Sequence, residues 1–316
     1  MSSATAMRTT QYSAPESAAG DVGHRRRRRI GARAFVAFQI PALILFGLFM
    51  VYPIVDSVYL SLHSWGGVGA MKWVAFSNYT TFLSSSDFAQ STEHSLVICA
   101  LATAFSIGIG VILAGAIHFH MPAHGFVRTA CFLPVMIPFA ATATFWTTAF
   151  NPFGGIVNAV LGSLGLGGHH LFLGSPNTAI YTLIFVAVWT QAGFAMIFIL
   201  AAMDAIPSEV YESAMIDGAS LMRRFFSFTL PLSRRMVAVV GMLELIYSFR
   251  LFTEVWTMTE GGPGTATEIF PTVIYKDAFL YDQFGYGAAI AVVSAVLVLA
   301  LLVLYVRIFR PFKVMT

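Results

Sequence analysis

Six stretches of this chain are long and apolar enough to cross a bilayer: about 35 to 60, 95 to 117, 127 to 149, 178 to 203, 236 to 258 and 286 to 308. A crossing takes roughly 20 residues for about 30 Å of hydrocarbon. No water is present there to satisfy backbone N–H and C=O groups, so a crossing segment must be a helix or a strand of a closed barrel. The stretches lack the every-second-residue alternation of barrel strands. An all-α, polytopic membrane fold with six transmembrane helices is therefore predicted. Composition agrees, with 57% hydrophobic and only 10% charged residues, against about 25% charged in ordinary globular domains.

Basic residues set the expected orientation, because they are retained on the cytoplasmic side. Arg25 to Arg29 and Arg33 precede the first stretch, and Arg128 lies in the second connection. Arg223, Arg224, Arg234 and Arg235 lie in the fourth, and Arg307, Arg310 and Lys313 at the C-terminus. The other connections hold only Lys72 and Lys276. Both termini and the loop at about 204–235 are thus predicted to be cytoplasmic, in keeping with an even number of helices. The arginine run reads as a stop against translocation rather than a nucleic-acid patch, since an apolar span follows directly. A twin-arginine secretion signal lacks its A-x-A-like cleavage site here. Residues 1–34 are predicted to be a disordered, basic cytoplasmic tail, residues 35–310 a membrane domain and residues 311–316 a short cytoplasmic tail.

Several chemistries are excluded. The three lysines, Lys72, Lys276 and Lys313, stand in no G-x-x-x-x-G-K-[ST] context, so the chain has no P-loop to hold nucleotide phosphates. It has no H-E-x-x-H, G-x-S-x-G or CxxC pattern. Cys99 and Cys131 both fall inside apolar stretches, where they read as small packing residues. His118, His120, His124, His169 and His170 sit in connections and read as solvated interfacial side chains, so no metal site and no enzyme activity are predicted.

The loop at 204–235 is the one long polar interruption on the basic side. Pro207 suits a first helical turn, Glu209 and Glu212 suit the N-terminal half of a helix, and Gly218 suits the left-handed residue that ends one. A short helix over about 207–217 is predicted, followed by a second helix capped by Ser220 and running through Leu221 and Phe225 towards Pro231. On the first, Val210, Ala214 and Asp217, with Tyr211 and Met215, form a stripe that asks for a partner surface. Two readings fit that pattern, an amphipathic loop resting on the membrane and a docking element.

A resemblance favours the second. Glu212-Ser213-Ala214-Met215-Ile216-Asp217-Gly218-Ala219, followed by Leu230-Pro231, resembles the E-A-A-x-x-x-G-A loop of ABC-importer permeases, with Ser213 in place of the first alanine. Leu133-Pro134 with Pro138, Phe150-Asn-Pro152 and Gly155-Ile-Val-Asn158 are similar to the carbohydrate branch of that family. So are Thr259-Glu-Gly-Gly-Pro263, Thr267, Tyr275, Ala278-Phe279 and Phe284-Gly285-Tyr286-Gly287-Ala288-Ala289. The resemblance covers roughly 35–310. It implies a type I importer permease fold in which the loop helix docks on a separate ATPase subunit that binds ATP and Mg2+. Glu212 would make a polar contact there, Ser213, Ala214 and Ala219 would allow close approach, Asp217 belongs to the docking motif, and Gly218 would form the elbow. It also implies a second homologous permease, two ATPase subunits, an extracytoplasmic sugar-binding protein and residence in a bacterial cytoplasmic membrane.

Polar groups inside apolar spans are expensive and face a cavity or a partner rather than lipid. Glu244, Tyr247, Ser248 and Leu251 stand at i, i+3, i+4 and i+7, and so share one face of a helix. Arg250 is predicted to pair with Glu254 at i+4. In the fourth span Gln191 and Phe194, near Trp189 and Thr190, give hydrogen-bonding groups beside aromatic rings, which suits sugars. The same groups also suit packing between helices, and the resemblance implies that the fourth and fifth spans line the passage. The expected function is sugar import driven by a partner's ATP hydrolysis. The alternatives are an importer of glycerol-phosphate-like solutes and an ion-coupled transporter that protonates Glu244 and Glu254.

Overall fold

The computed structural model describes residues 38–309; the expectations for the two tails lie outside them. The chain divides into two compact units, residues 1–56 and 57–316. The first carries most of helix α1, Phe38–Ser61, which includes a π-helical turn at Gly47–Val51.

The second unit begins with a small hairpin, β1 (His63–Ser64) antiparallel to β2 (Lys72–Trp73). Helix α2 (Ser77–Leu83) leads to α3, Ser86–His118. Ser85 caps α3 by accepting from the Phe88 N–H at 3.2 Å, and Asp87 in the first turn complements the helix dipole. α3 packs against α7 (Pro176–Asp204). Small residues let the two backbones approach, and a Cβ on Gly110 would stand 2.7 Å from that of Ala195. Buried Ala114, Ala195, Met196, Ile199, Met203 and Val240 fill the space between α3, α7 and the fifth span.

Two predicted spans are broken. The third is α4 (His124–Met136) and α5 (Phe139–Ala149), bent by 102° where they meet. Pro138 forces the residue before it out of the helical region, and Ile137 is extended, with ψ 132°. Short α6 follows at Ile156–Ser163.

The fifth span starts earlier than predicted. Leu221–Arg224, the π-helical turn Phe225–Thr229 and Leu230–Phe249 form one helix, α9, that passes through Pro231. Proline inside a helix clashes with the carbonyl four residues back. Here the wider turn, in which the Leu230 N–H bonds the Phe225 carbonyl, opens the ladder just before the ring. The helix then stops at Arg250 and Leu251, and α10 (Phe252–Thr259) continues the span. With the bent pair counted as one, six candidate spans result, ending in α12, Phe284–Phe309.

Between α10 and α12 lies α11, Phe270–Tyr275, with a π-helical continuation Lys276–Leu280. Several residues of the family resemblance shape turns here. Thr267 donates to the Gly262 carbonyl at 2.7 Å and shares a 2.8 Å hydrogen bond with Thr259. Asn158 likewise pins its loop, its amide donating to the Asn151 and His170 carbonyls at 3.3 and 3.2 Å and its carbonyl accepting from the His170 N–H at 2.8 Å.

In the same connection Lys276 pairs with Glu268. Burial, with Asp87 and Glu268 nearby, pushes the Asp277 carboxyl up to about 6 although Lys276 opposes this. A raised carboxylate favours the protonated folded state, so stability falls as pH rises from about 4, the unfolded value, to about 6. Asp277→Asn is expected to raise the melting temperature at pH 8 and to give a shrinking gain towards pH 4. A pH-independent difference between variant and parent would contradict that electrostatic origin.

Candidate functional site

The polar loop builds as predicted. Helix α8, Ser208–Ile216, follows Pro207, which sits one position outside it as the cap. Gly218 has φ +72°, a conformation that costs other L-residues about 1–2 kcal/mol. Its N–H bonds the Met215 carbonyl at 3.0 Å, and the Ala219 N–H bonds the Ala214 carbonyl at 2.9 Å. This pair of bonds is the Schellman motif, which satisfies the last carbonyls of a helix and needs a left-handed residue. Ser220 then caps α9, accepting from the Arg223 N–H at 3.4 Å. The Gly-Ala-Ser sequence thus ends one helix and starts the next within three residues.

The stripe on α8 divides differently from the expectation. Ala214 is buried against its own chain, and Tyr211 hydrogen-bonds within it. These small and aromatic residues fix α8 to the membrane domain rather than offering it outward. The exposed apolar groups are Met215 and Ile216, the latter 87% accessible, with Leu221 and Met222 on the next helix. Glu212, Ser213, Asp217 and Gly218 are exposed beside them. Glu212 has no hydrogen-bond or ion-pair partner among the described residues, whereas Ser213 donates to the Glu209 carbonyl at 2.8 Å.

Beneath α8 a chain of polar contacts appears that periodicity alone does not announce. His118 at the end of α3 donates from Nδ1 to the Asp204 carboxylate at the end of α7, 2.8 Å away. Its Nε2 is 3.1 Å from the Tyr211 hydroxyl, which is 3.1 Å from the Thr229 hydroxyl in the π turn of α9. Arg224 stands over the Phe119 ring at 5.6 Å. His118 is therefore a partnered group, not a solvated one. His169 and His170 also hydrogen-bond backbone carbonyls, of Pro152 and Leu166. No cluster of metal ligands occurs among the described residues.

In the interior, Gln191, Glu244, Ser248 and Leu251 are all buried. Leu251 does not continue the helical face of Glu244, because α9 has already ended. The same break undoes the predicted pair of Arg250 and Glu254. Arg250 is exposed, and Glu254 instead accepts from the Tyr247 hydroxyl at 2.5 Å. The Tyr247 ring lies 5.4 Å from that of Phe139 at the start of α5. The break in the third span thus brings an aromatic ring to the polar group, a contact that sequence spacing does not reveal. Phe194 is only half-buried, and its ring lies 4.7 Å from that of Phe198 in a tilted arrangement.

Both oxygens of Glu244 and the Ser248 hydroxyl lack a hydrogen-bond partner among the described residues. Glu244 is 1% exposed, so it is enclosed within this chain rather than open to a passage in this conformation. A separate cavity of about 670 Å³ between α3, α9 and α12 is lined mainly by apolar groups such as Leu96, Ile107, Val237 and Leu301, with Arg234 also on its wall. It contains none of the polar interior set.

This arrangement of broken spans and a capped elbow is that of a transporter's membrane subunit. The sequence profile of the binding-protein-dependent transport system inner membrane component matches residues 106–313, and the chain belongs to that family. It is 32% identical to a probable ABC transporter permease of Bacillus subtilis, over 87% of this chain and 96% of that one. It is 30% identical to the diacetylchitobiose uptake system permease of Streptomyces coelicolor, over 92% and 91%. The fold matches a chain of a bacterial ABC transporter involved in import of the acidic polysaccharide alginate. That match has a TM-score of 0.80 at 24% identity, covering 92% of this chain and 100% of that one.

Proposed function

We infer that this chain is the membrane permease of an ATP-driven importer for sugars of the disaccharide and oligosaccharide class, and supplies half of the passage. The observation that carries the coupling role is the capped elbow, where a short helix anchored from below presents Met215, Ile216 and Glu212 outward. An exposed apolar patch bordered by polar groups marks a protein contact. The contact we assign is a cytoplasmic ATPase subunit that carries ATP and Mg2+, in an assembly of two ATPases, a second permease and an extracytoplasmic binding protein. That assignment places the 204–235 loop and both termini in the cytoplasm. Motion of the ATPase would then reach α3, α7 and α9 directly through α8.

For the passage we propose Gln191, Tyr247 and the carboxyls of Glu244 and Glu254, with Ser248, Leu251 and Phe194 on the same two spans. Hydroxyl, amide and carboxyl groups beside the Phe139 ring offer what a sugar presents, hydroxyls on its edge and C–H groups on its face. No lysine or arginine is buried among the described residues. Two buried carboxyls without such a counter-charge disfavour a phosphate-bearing solute. Since Glu244 is enclosed here, the proposal requires α9 to move during the cycle.

The test is purification of the complex from its native membrane, followed by ATP hydrolysis measured with a panel of disaccharides and their binding protein. Hydrolysis stimulated by a sugar, with uptake that persists when the proton gradient is collapsed and ATP maintained, supports this reading. Uptake that stops with the gradient alone supports ion coupling instead.

A further inference from the structure

We propose that His118 is a positioning residue that locks α8 to the membrane helices, so that a push on the elbow is delivered to α3, α7 and α9 together. The functional half of this inference rests on the coupling role proposed above; the anchoring half stands on geometry alone. His118 closes α3, Asp204 closes α7, Tyr211 lies in the middle of α8, and Thr229 ends the π turn of α9. Four separate elements thus meet through three consecutive hydrogen bonds of 2.8, 3.1 and 3.1 Å. The imidazole bonds through both of its ring nitrogens, Nδ1 to Asp204 and Nε2 to Tyr211, and its side chain is only 12% exposed.

The donors and acceptors fit this role. The Asp204 carboxylate can only accept, which assigns a proton to Nδ1, and in the neutral ring Nε2 then accepts from the Tyr211 hydroxyl. The contacts around this chain are also close. The His118, Phe119 and Tyr211 rings lie 5.0 to 6.0 Å apart, and a Cβ on Gly115, one turn earlier in α3, would meet the Phe225 ring. Phe225 opens the π turn that ends at Thr229 and that lets α9 continue through Pro231. Tyr211 therefore ties α8 to the same irregular turn that gives α9 its path into the membrane. Without the imidazole, the Schellman elbow and the Tyr211–Thr229 bond would still hold α8 to α9, but among the described residues no side-chain hydrogen bond would fasten the middle of α8 to α3 and α7.

The experiment places a nitroxide at Ser208→Cys, at the exposed start of α8, in a Cys99→Ala, Cys131→Ala background, within the complex purified with its own ATPase, and measures turnover in the unlabelled protein. His118→Ala and Tyr211→Phe are each expected to make the nitroxide spectrum more mobile. His118→Gln, which keeps one donor and one acceptor, is expected to retain the parent spectrum. Stimulated ATP turnover should fall about tenfold or more in His118→Ala, with an unchanged KM for ATP, and return to within a few-fold in His118→Gln. An unchanged nitroxide spectrum in His118→Ala overturns the anchoring. A mobile spectrum with normal stimulated turnover overturns the positioning role. Failure of the coupling reading itself is separately visible, as loss of the ATPase from a complex bearing the native His118.

Discussion

Gly218→Pro is expected to leave the chain inserted in the membrane and to reduce solute-stimulated ATP hydrolysis to its unstimulated level. Proline holds φ near −65°, whereas Gly218 sits at +72°. Proline also removes the N–H that bonds the Met215 carbonyl. Both bonds of the Schellman motif are then lost, and α8 cannot turn into α9 within three residues. A Cβ at this position meets nothing within 4 Å, so Gly218→Ala tests the backbone term alone. Its strain of about 1–2 kcal/mol corresponds to a roughly 5- to 30-fold loss of the native elbow. Gly218→Asn should do better than alanine, because asparagine tolerates the left-handed region. A series in which proline, alanine and asparagine behave alike would show that the elbow's conformation does not matter.

Glu244→Met should make the protein more stable and the transporter worse. The carboxyl is 1% exposed, and neither oxygen has a hydrogen-bond partner among the described residues. An unpartnered buried polar group costs about 1–3 kcal/mol, and methionine fills a similar volume without it. The expected readout is a raised melting temperature together with reduced uptake, since stabilising substitutions cost function where a site is kept strained or polar for a purpose. Enclosure of Glu244 within this chain means that a second permease cannot supply the missing partner without a rearrangement. A lowered melting temperature would show that the carboxyl is already satisfied in the working protein. Unimpaired uptake would remove it from the passage.

The sequence announced features that depend on local chemistry. The α8 helix, the left-handed Gly218 and the Ser220 cap follow from residue type and spacing and stand where expected, and the six apolar stretches are all helical, although the third is bent and the fifth begins earlier than its apolar run. Features that depend on distant chain were not legible. Proline marked both Pro138 and Pro231, yet the chain breaks sharply before the first and runs straight through the second. The difference lies in the π turn at Phe225–Thr229, which packing against Gly115 helps to hold. The predicted pair of Arg250 and Glu254 presumed a continuous helix, and the stop at Leu251 gave Glu254 to Tyr247 instead. His118 was legible only as a histidine in a connection, because its partners stand 86 and 93 residues away in sequence.

The most direct test of the central claim is a crosslink from the elbow itself. In native membranes, a photoreactive or thiol-specific reagent at Ile216→Cys should capture a nucleotide hydrolase, and the yield should change when ATP is added. The same reagent at Val68→Cys, an exposed position in the β1–β2 connection, should capture none. Capture of only lipid or of the chain's own helices from Ile216→Cys would contradict the account.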